Sequence, residues 1–259
     1  MTSRRRTAAG FTLVEMMVAL ALGLLLSIVI AQLFANTRDT NRATEDAARV
    51  QESMRFATEV IGRTVRIAGY RSNPTAVITT VFPGAAKALD GTNGAGTASD
   101  TLTVRFQGAG TAAGVADNTI LDCLGTAVAP DFTGTSAGVR SNTFSIATGA
   151  DGRNALFCST NSAGNPIAEL VPGVEAMQVL FGEDTNADRT ADRFLPPTVT
   201  VTYDNVVAVR VYLLFSGKES VRLDTASATY TLAGVAYTFS DQKIRRLVTS
   251  TITLRNRAP

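Results

Sequence analysis

From Met16 to Thr37 the chain runs 22 residues without a charge, most of them Leu, Ile, Val, Ala, Met or Phe. A run of that length has few ways to fold in water. As one helix it spans roughly 33 Å, against about 30 Å for the hydrocarbon core of a bilayer. It exceeds the roughly 7–15 apolar residues of an ordinary secretory signal, and no small-x-small cleavage site follows it. A twin-arginine signal is also a poor match, because "SRRRTAAGF" lacks the apolar pair expected after the arginines. The cluster Arg4, Arg5 and Arg6 in front of the run places the N-terminus on the cytoplasmic side and exports the rest.

The remaining composition excludes more than it selects. The chain has 24 basic and 22 acidic side chains, so without the three leading arginines the balance is 21 against 22. No global attraction to nucleic acid follows from that balance. Histidine is absent and lysine occurs only at Lys87, Lys218 and Lys243. That removes the Ser-His-Asp and Cys-His nucleophile pairs and the usual general base near neutral pH. The expectation is a protein that is not an enzyme. Cys123 and Cys158 are the two cysteines. Beyond a membrane segment, in an oxidising compartment, they read as a disulfide whose loop closure stabilises the fold by roughly 4 kcal/mol. Two buried free thiols are the alternative.

At the lip of the apolar run stands Glu15. Thr12 and Glu15 have capping-box spacing, and a carboxylate suits the positive end of a helix dipole. Capping explains how the charge is tolerated. It does not explain its place in an otherwise apolar segment, where an unpaired charge costs about 2.5–3.5 kcal/mol. A second reading is that Glu15 meets a positive charge on another molecule.

The stretch "GFTLVE" at Gly10 to Glu15, after a basic leader and before an apolar helix, resembles the processing site of type IV prepilins. The resemblance implies cleavage between Gly10 and Phe11 by the prepilin peptidase, N-methylation of Phe11, and pairing of Glu15 with the N-terminal amine of a neighbouring subunit. Capping and intersubunit pairing do not exclude each other.

Past Arg38 the sequence turns polar but keeps a helical period. Ala43, Ala47, Val50, Met54, Ala57, Ile61, Val65 and Ala68 form one apolar stripe, and Gly69 can end the helix. One helix from Phe11 to Ala68, on the order of 85 Å long, is expected. "QESMRFATEVIGRTVRIAGYR" (51–71) is similar to the segment that closes the long helix of PilW-type minor pilins. So are "LVPGVEAMQVLFGEDTNADRTADRF" (170–194), "VVAVRVYLLF" (206–215) and "LRNR" (254–257).

Residues 70–259 read as mostly β. Strand-like stretches are 101–106, 143–148, 174–182, 208–215 and 247–257, while Gly84 to Ser99 and Gly108 to Asn118 read as loops. "DTNADRTAD" sets Asp184, Asn186, Asp188 and Asp192 at positions one, three, five and nine of an EF-hand-like loop. The sixth position is Arg189 where such a loop wants glycine, and the twelfth is Leu195. Either the loop holds calcium or it is a plain acidic turn, and no cofactor is required. Asp241, Lys243, Arg245 and Arg246 read as a solvated, mixed-charge turn.

The expected architecture is α+β and type IV pilin-like: a long N-terminal α-helix, transmembrane in its first half, packed on an antiparallel β-sheet domain. The expected parts are a leader (1–10), a membrane and filament-core helix (11–37), an amphipathic continuation (38–69) and a periplasmic β-rich domain (70–259). The resemblance implies a minor pilin in the tip or priming complex of a type IV pilus. Its partners would be other minor pilins, the major pilin and the prepilin peptidase/N-methyltransferase. It would sit in the inner membrane with a cytoplasmic N-terminus and later on the cell surface. The alternatives are a minor pseudopilin of type II secretion, and a tip adhesin or DNA-contacting subunit.

Overall fold

A computed structural model of the chain describes residues 12–83, 87–198, 201–220 and 227–256. The chain divides into two compact units, with the boundary between Glu45 and Asp46. Helix α1, Leu13–Arg66, runs through that boundary.

In the first unit α1 buries none of its large apolar side chains. Those from Leu13 to Phe34 are each between 52% and 75% exposed, on every side of the helix. The hydroxyls here turn inward. Ser27 donates to the carbonyl of Gly23 (2.8 Å), Thr37 to that of Leu33 (2.8 Å), Thr40 to Asn36 (2.9 Å) and Thr44 to Thr40 (2.9 Å). Each hydroxyl thus finds an acceptor one turn back in its own backbone.

The second unit begins where α1 acquires a buried side. Val50, Ala57, Ile61 and Val65 are buried at helical spacing. The helix stops two residues before the expected Ala68. Gly69 turns the chain at φ 72° and donates its N–H to the carbonyl of Arg105 (2.9 Å). A left-handed φ of that kind favours glycine.

After the short helix α2 (Ile78–Val81) come, among the described residues, eleven strands: β1 Leu89–Thr92, β2 Thr101–Phe106, β3 Arg140–Thr148, β4 Asn154–Thr160, β5 Ile167–Pro172, β6 Val174–Glu183, β7 Arg193–Leu195, β8 Val206–Ser220, β9 Ala228–Leu232, β10 Val235–Phe239 and β11 Lys243–Thr253. They form three antiparallel sheets, with orders β1-β2-β3-β4-β5, β11-β8-β6-β7 and β10-β9. The single sheet expected from the sequence is therefore divided. One core joins them: α1 contributes Ala57, Ile61 and Val65, the five-stranded sheet Leu102 and Phe144, and the four-stranded sheet Val179 and Val211. A small second cluster seats the β9–β10 hairpin on Ala176 and Leu214.

Two expected boundaries need correction. The 84–99 stretch contains β1, and the last strand ends at Thr253, with Leu254–Asn256 leaving it as a turn. The core positions of β2 alternate (Leu102, Val104 and Phe106 buried; Thr101, Thr103 and Arg105 half-buried), as a half-covered strand should.

Candidate functional site

Gly10 and Phe11, the expected cleavage and methylation positions, lie outside the described residues, as do Arg4, Arg5 and Arg6. What is described is the other end of the motif. The Thr12 N–H and Oγ1 both donate to Glu15 Oε2 (2.9 and 3.1 Å), and the Glu15 N–H donates to Thr12 Oγ1 (3.3 Å). That is the reciprocal capping box read from the spacing. Glu15 occupies the first turn of α1, where the helix dipole favours a negative charge. The carboxylate stays at the helix surface, with Oε2 held by Thr12. Directly after it begins the apolar segment, and α1 is the one helix among the described residues long and apolar enough to cross a membrane.

Cys123 and Cys158 form a disulfide with a Cα–Cα distance of 6.4 Å. It ties the loop after Asn118 to the middle of β4, and both cysteines are buried. The loop is also tightened by Asp122, buried beside the bridge, which accepts N–H bonds from Leu124 (3.0 Å) and Thr126 (2.9 Å) on Oδ1.

The acidic loop closes on its own backbone. Asp184 Oδ1 accepts the N–H groups of Asn186 (3.2 Å), Ala187 (2.7 Å) and Asp188 (3.3 Å), and its Oδ2 accepts that of Arg189 (2.7 Å). Asp192 Oδ2 accepts the N–H and hydroxyl of Thr185 at 2.6 and 2.7 Å. The Asn186 amide donates to Asp188 Oδ2 (3.1 Å) and Asp192 Oδ1 (3.4 Å). Thr190, through its hydroxyl and its N–H, holds the Asp188 carboxyl below its ordinary value. The sequence read Arg189 as a misfit for a glycine position, yet the backbone there takes φ 72° all the same. Among the described residues no three His, Cys, Asp or Glu side chains are grouped to hold a metal ion.

The charged stretch at 241–246 is not the solvated turn expected. Arg245 is buried, its guanidinium 3.6 Å above the Phe239 ring, and its Nη2 donates to Glu175 Oε1 (3.1 Å) and Asp241 Oδ2 (2.8 Å). The hydrogen bond from Arg245 draws the Asp241 carboxyl down to about 2. This pin joins the start of β11 to β6 and to the hairpin. Sequence reasoning missed it because Glu175 stands 70 positions away.

Comparison with known proteins adds two partial matches. Residues 5–31 match the prokaryotic N-terminal methylation motif, and residues 143–256 match the family of the type IV pilus-assembly protein W. No curated protein matches the chain. Among solved structures, a type IV-like pilin from Thermus thermophilus is similar at 15% identity and a TM-score of 0.45, over 82% of this chain and 99% of that one. With the methylation motif at the head of α1 and the assembly-protein match running from β3 past the last strand, the chain is type IV pilin-like and similar to PilW-type proteins over those residues.

Proposed function

We propose that this chain is a minor pilin of the tip or priming complex that initiates a type IV pilus. The observation that carries the proposal is the α1 segment from Leu13 to Phe34, apolar and exposed on all sides, headed by the Thr12–Glu15 box and joined to a PilW-type domain. Such a surface needs an apolar environment: a bilayer before assembly, and other pilin helices after it. In this proposal the N-terminus starts in the cytoplasm and the β-rich unit lies in the periplasm. The prepilin peptidase cuts after Gly10, Phe11 is methylated, and Glu15 meets the N-terminal amine of a neighbouring subunit. The partners are other minor pilins and the major pilin.

The test is N-terminal mass analysis of the chain from membrane and sheared-filament fractions of its host, together with pilus counts in a deletion strain. The expected result is a chain beginning at methylated Phe11, present in sheared fibres, and a loss of pili on deletion. Retention of Met1 to Gly10 in a host with active peptidase would overturn the processing step. Normal pilus number in the deletion strain would overturn the priming role.

We also propose that the 184–192 loop closes without a cation, because its carboxylates already accept the loop's own N–H groups. Calcium titrated into the full chain should give no saturable heat. Saturable heat abolished by chelator would make Asp184, Asn186, Asp188 and Asp192 a calcium loop.

A further inference from the structure

The sheet edges of the second unit are not treated alike. β1 has four residues and contains Asp90 and Gly91; β7 has three and begins with Arg193; β5 carries Glu169 and ends at Pro172. Short length, charge and proline are the usual protections of an edge. β11 has none of them over most of its length. It is an eleven-residue edge strand that pairs, among the described residues, only with β8. From Leu247 to Thr253 it reads LVTSTIT, with no charge, proline or glycine. Such a segment is a ready template for another strand.

Register fixes which backbone groups are free. Leu254 N–H donates to the carbonyl of Val207 (2.9 Å), in step with the pairs Ile252–Val209, Ser250–Val211 and Val248–Leu213. Antiparallel ladders alternate, so Val248, Ser250 and Ile252 are bonded to β8. The N–H and C=O groups of Leu247, Thr249, Thr251 and Thr253 point away from it.

Beside this edge lies an open groove of about 560 Å³. Met54, Thr58 and Val248 supply its neutral surface, and Arg55, Glu59 and Arg66 its charges. Val248 is its only strand residue, and no residue of β8 lines it. The α1 segment therefore overhangs the sheet just beyond β11, where a further strand about 4.8 Å away would lie.

We propose that β11 receives an extended segment of a different polypeptide, which adds a strand to the β11-β8-β6-β7 sheet and fills the groove beneath α1. The groove asks for small neutral side chains at alternate positions of that segment. Its charges, two arginines against one glutamate, favour an acidic residue at the Arg66 end. A second copy of this chain does not fit. Pairing β11 with its own copy by a two-fold axis brings two overhanging helices to one groove, running in opposite directions.

The inference rests on the reading of the chain as an assembling subunit, and its test is residue-resolved hydrogen exchange on the full chain. Exchange is compared between the chain purified in detergent, complexes extracted from host membranes, and sheared filaments. In the purified chain the amides of Val248, Ser250 and Ile252 should be protected, and those of Leu247, Thr249, Thr251 and Thr253 should exchange at least tenfold faster. In the assembled samples the second set should become as slow as the first. Thr249→Pro removes one outward N–H and no bond to β8, whereas Thr251 accepts from Arg210 Nε of β8 (3.0 Å) and is left unchanged. Thr249→Pro should abolish that protection and cut recovery in complexes severalfold. Thr249→Lys, an exposed edge change that leaves the backbone intact, should do the same with unchanged thermal melting. Fast exchange of the outward set in every assembled sample would overturn the proposal, as would normal assembly of both variants. A cross-link from position 249 to another copy of this chain would overturn the choice of occupant. Absence from filaments, with both sets of amides equally slow in membrane complexes, would sink the pilus role and leave the edge pairing standing.

Discussion

One helix, α1, passes through two regimes. From Leu13 to Glu45 it buries nothing, while from Asp46 to Arg66 it presents Val50, Ala57, Ile61 and Val65 to a core. The same backbone is thus supported differently in each. In the second stretch, tertiary burial holds the helix. In the first, the support must come from a medium that the chain does not supply, since apolar side chains on every side gain nothing from water. The transition is marked by Asp46, buried in the second unit, whose Oδ1 accepts the Lys218 N–H at 2.9 Å.

That contrast can be broken experimentally, beginning with the globular side. Replacing Cys123 and Cys158 by alanine should destabilise the second unit by roughly 4 kcal/mol and lower its melting temperature by about 8–16 °C. Differential scanning calorimetry of the full chain in detergent would measure it, with α1 from 13 to 45 remaining helical by circular dichroism. Next comes a matched pair. Ile61→Ala should cost about 2–5 kcal/mol, because it opens a cavity in the core. Ile28→Ala, at a residue 54% exposed, should leave the same transition where it was. Equal shifts for the two would erase the distinction.

A smaller effect is expected at Gly217, where a Cβ would sit 1.9 Å from Asp46 Oδ2. Gly217→Ala must displace that carboxylate and should cost about 1–3 kcal/mol. The double change with Asp46→Ala should recover part of the loss. The smallest is pH-dependent. Asp241 has its folded pKa lowered to about 2, from 3.8, by the Arg245 hydrogen bond. Its contribution is therefore complete above pH 3.8 and lost as pH falls through about 2. Asp241→Asn should melt lower than the parent at pH 6, and the difference should fade between pH 4 and pH 2. A constant difference across that range would remove the carboxylate from the account.

The long helix and its box were legible because they rest on short spacings: Thr12 to Glu15, and apolar steps of three and four. β2 was legible to the residue from β-branched alternation in "TLTVRF". β1 was not, since Asp90-Gly91 reads as a turn. Gly91 is there for closeness: a Cβ would come within 2.6 Å of the Thr101 carbonyl and 3.2 Å of Phe181. The β9–β10 hairpin was hidden in the same way. Ala233 and Gly234 make its turn at φ 48° and 90°, where Asn-Gly or Asp-Gly would have signalled it. Arg245 escaped because its partners come from other strands, which no local window contains.

The inward-turned hydroxyls of α1 have a consequence for passage between media. Ser27, in the middle of the apolar run, and Thr37 near its end already have their acceptors at Gly23 and Leu33. Neither needs a partner from lipid or from another chain. From Met16 to Thr37 the span carries no charged side chain, and the charge of Glu15 stands at its head. For these two hydroxyls a change of apolar surroundings breaks no polar bond and requires no new one.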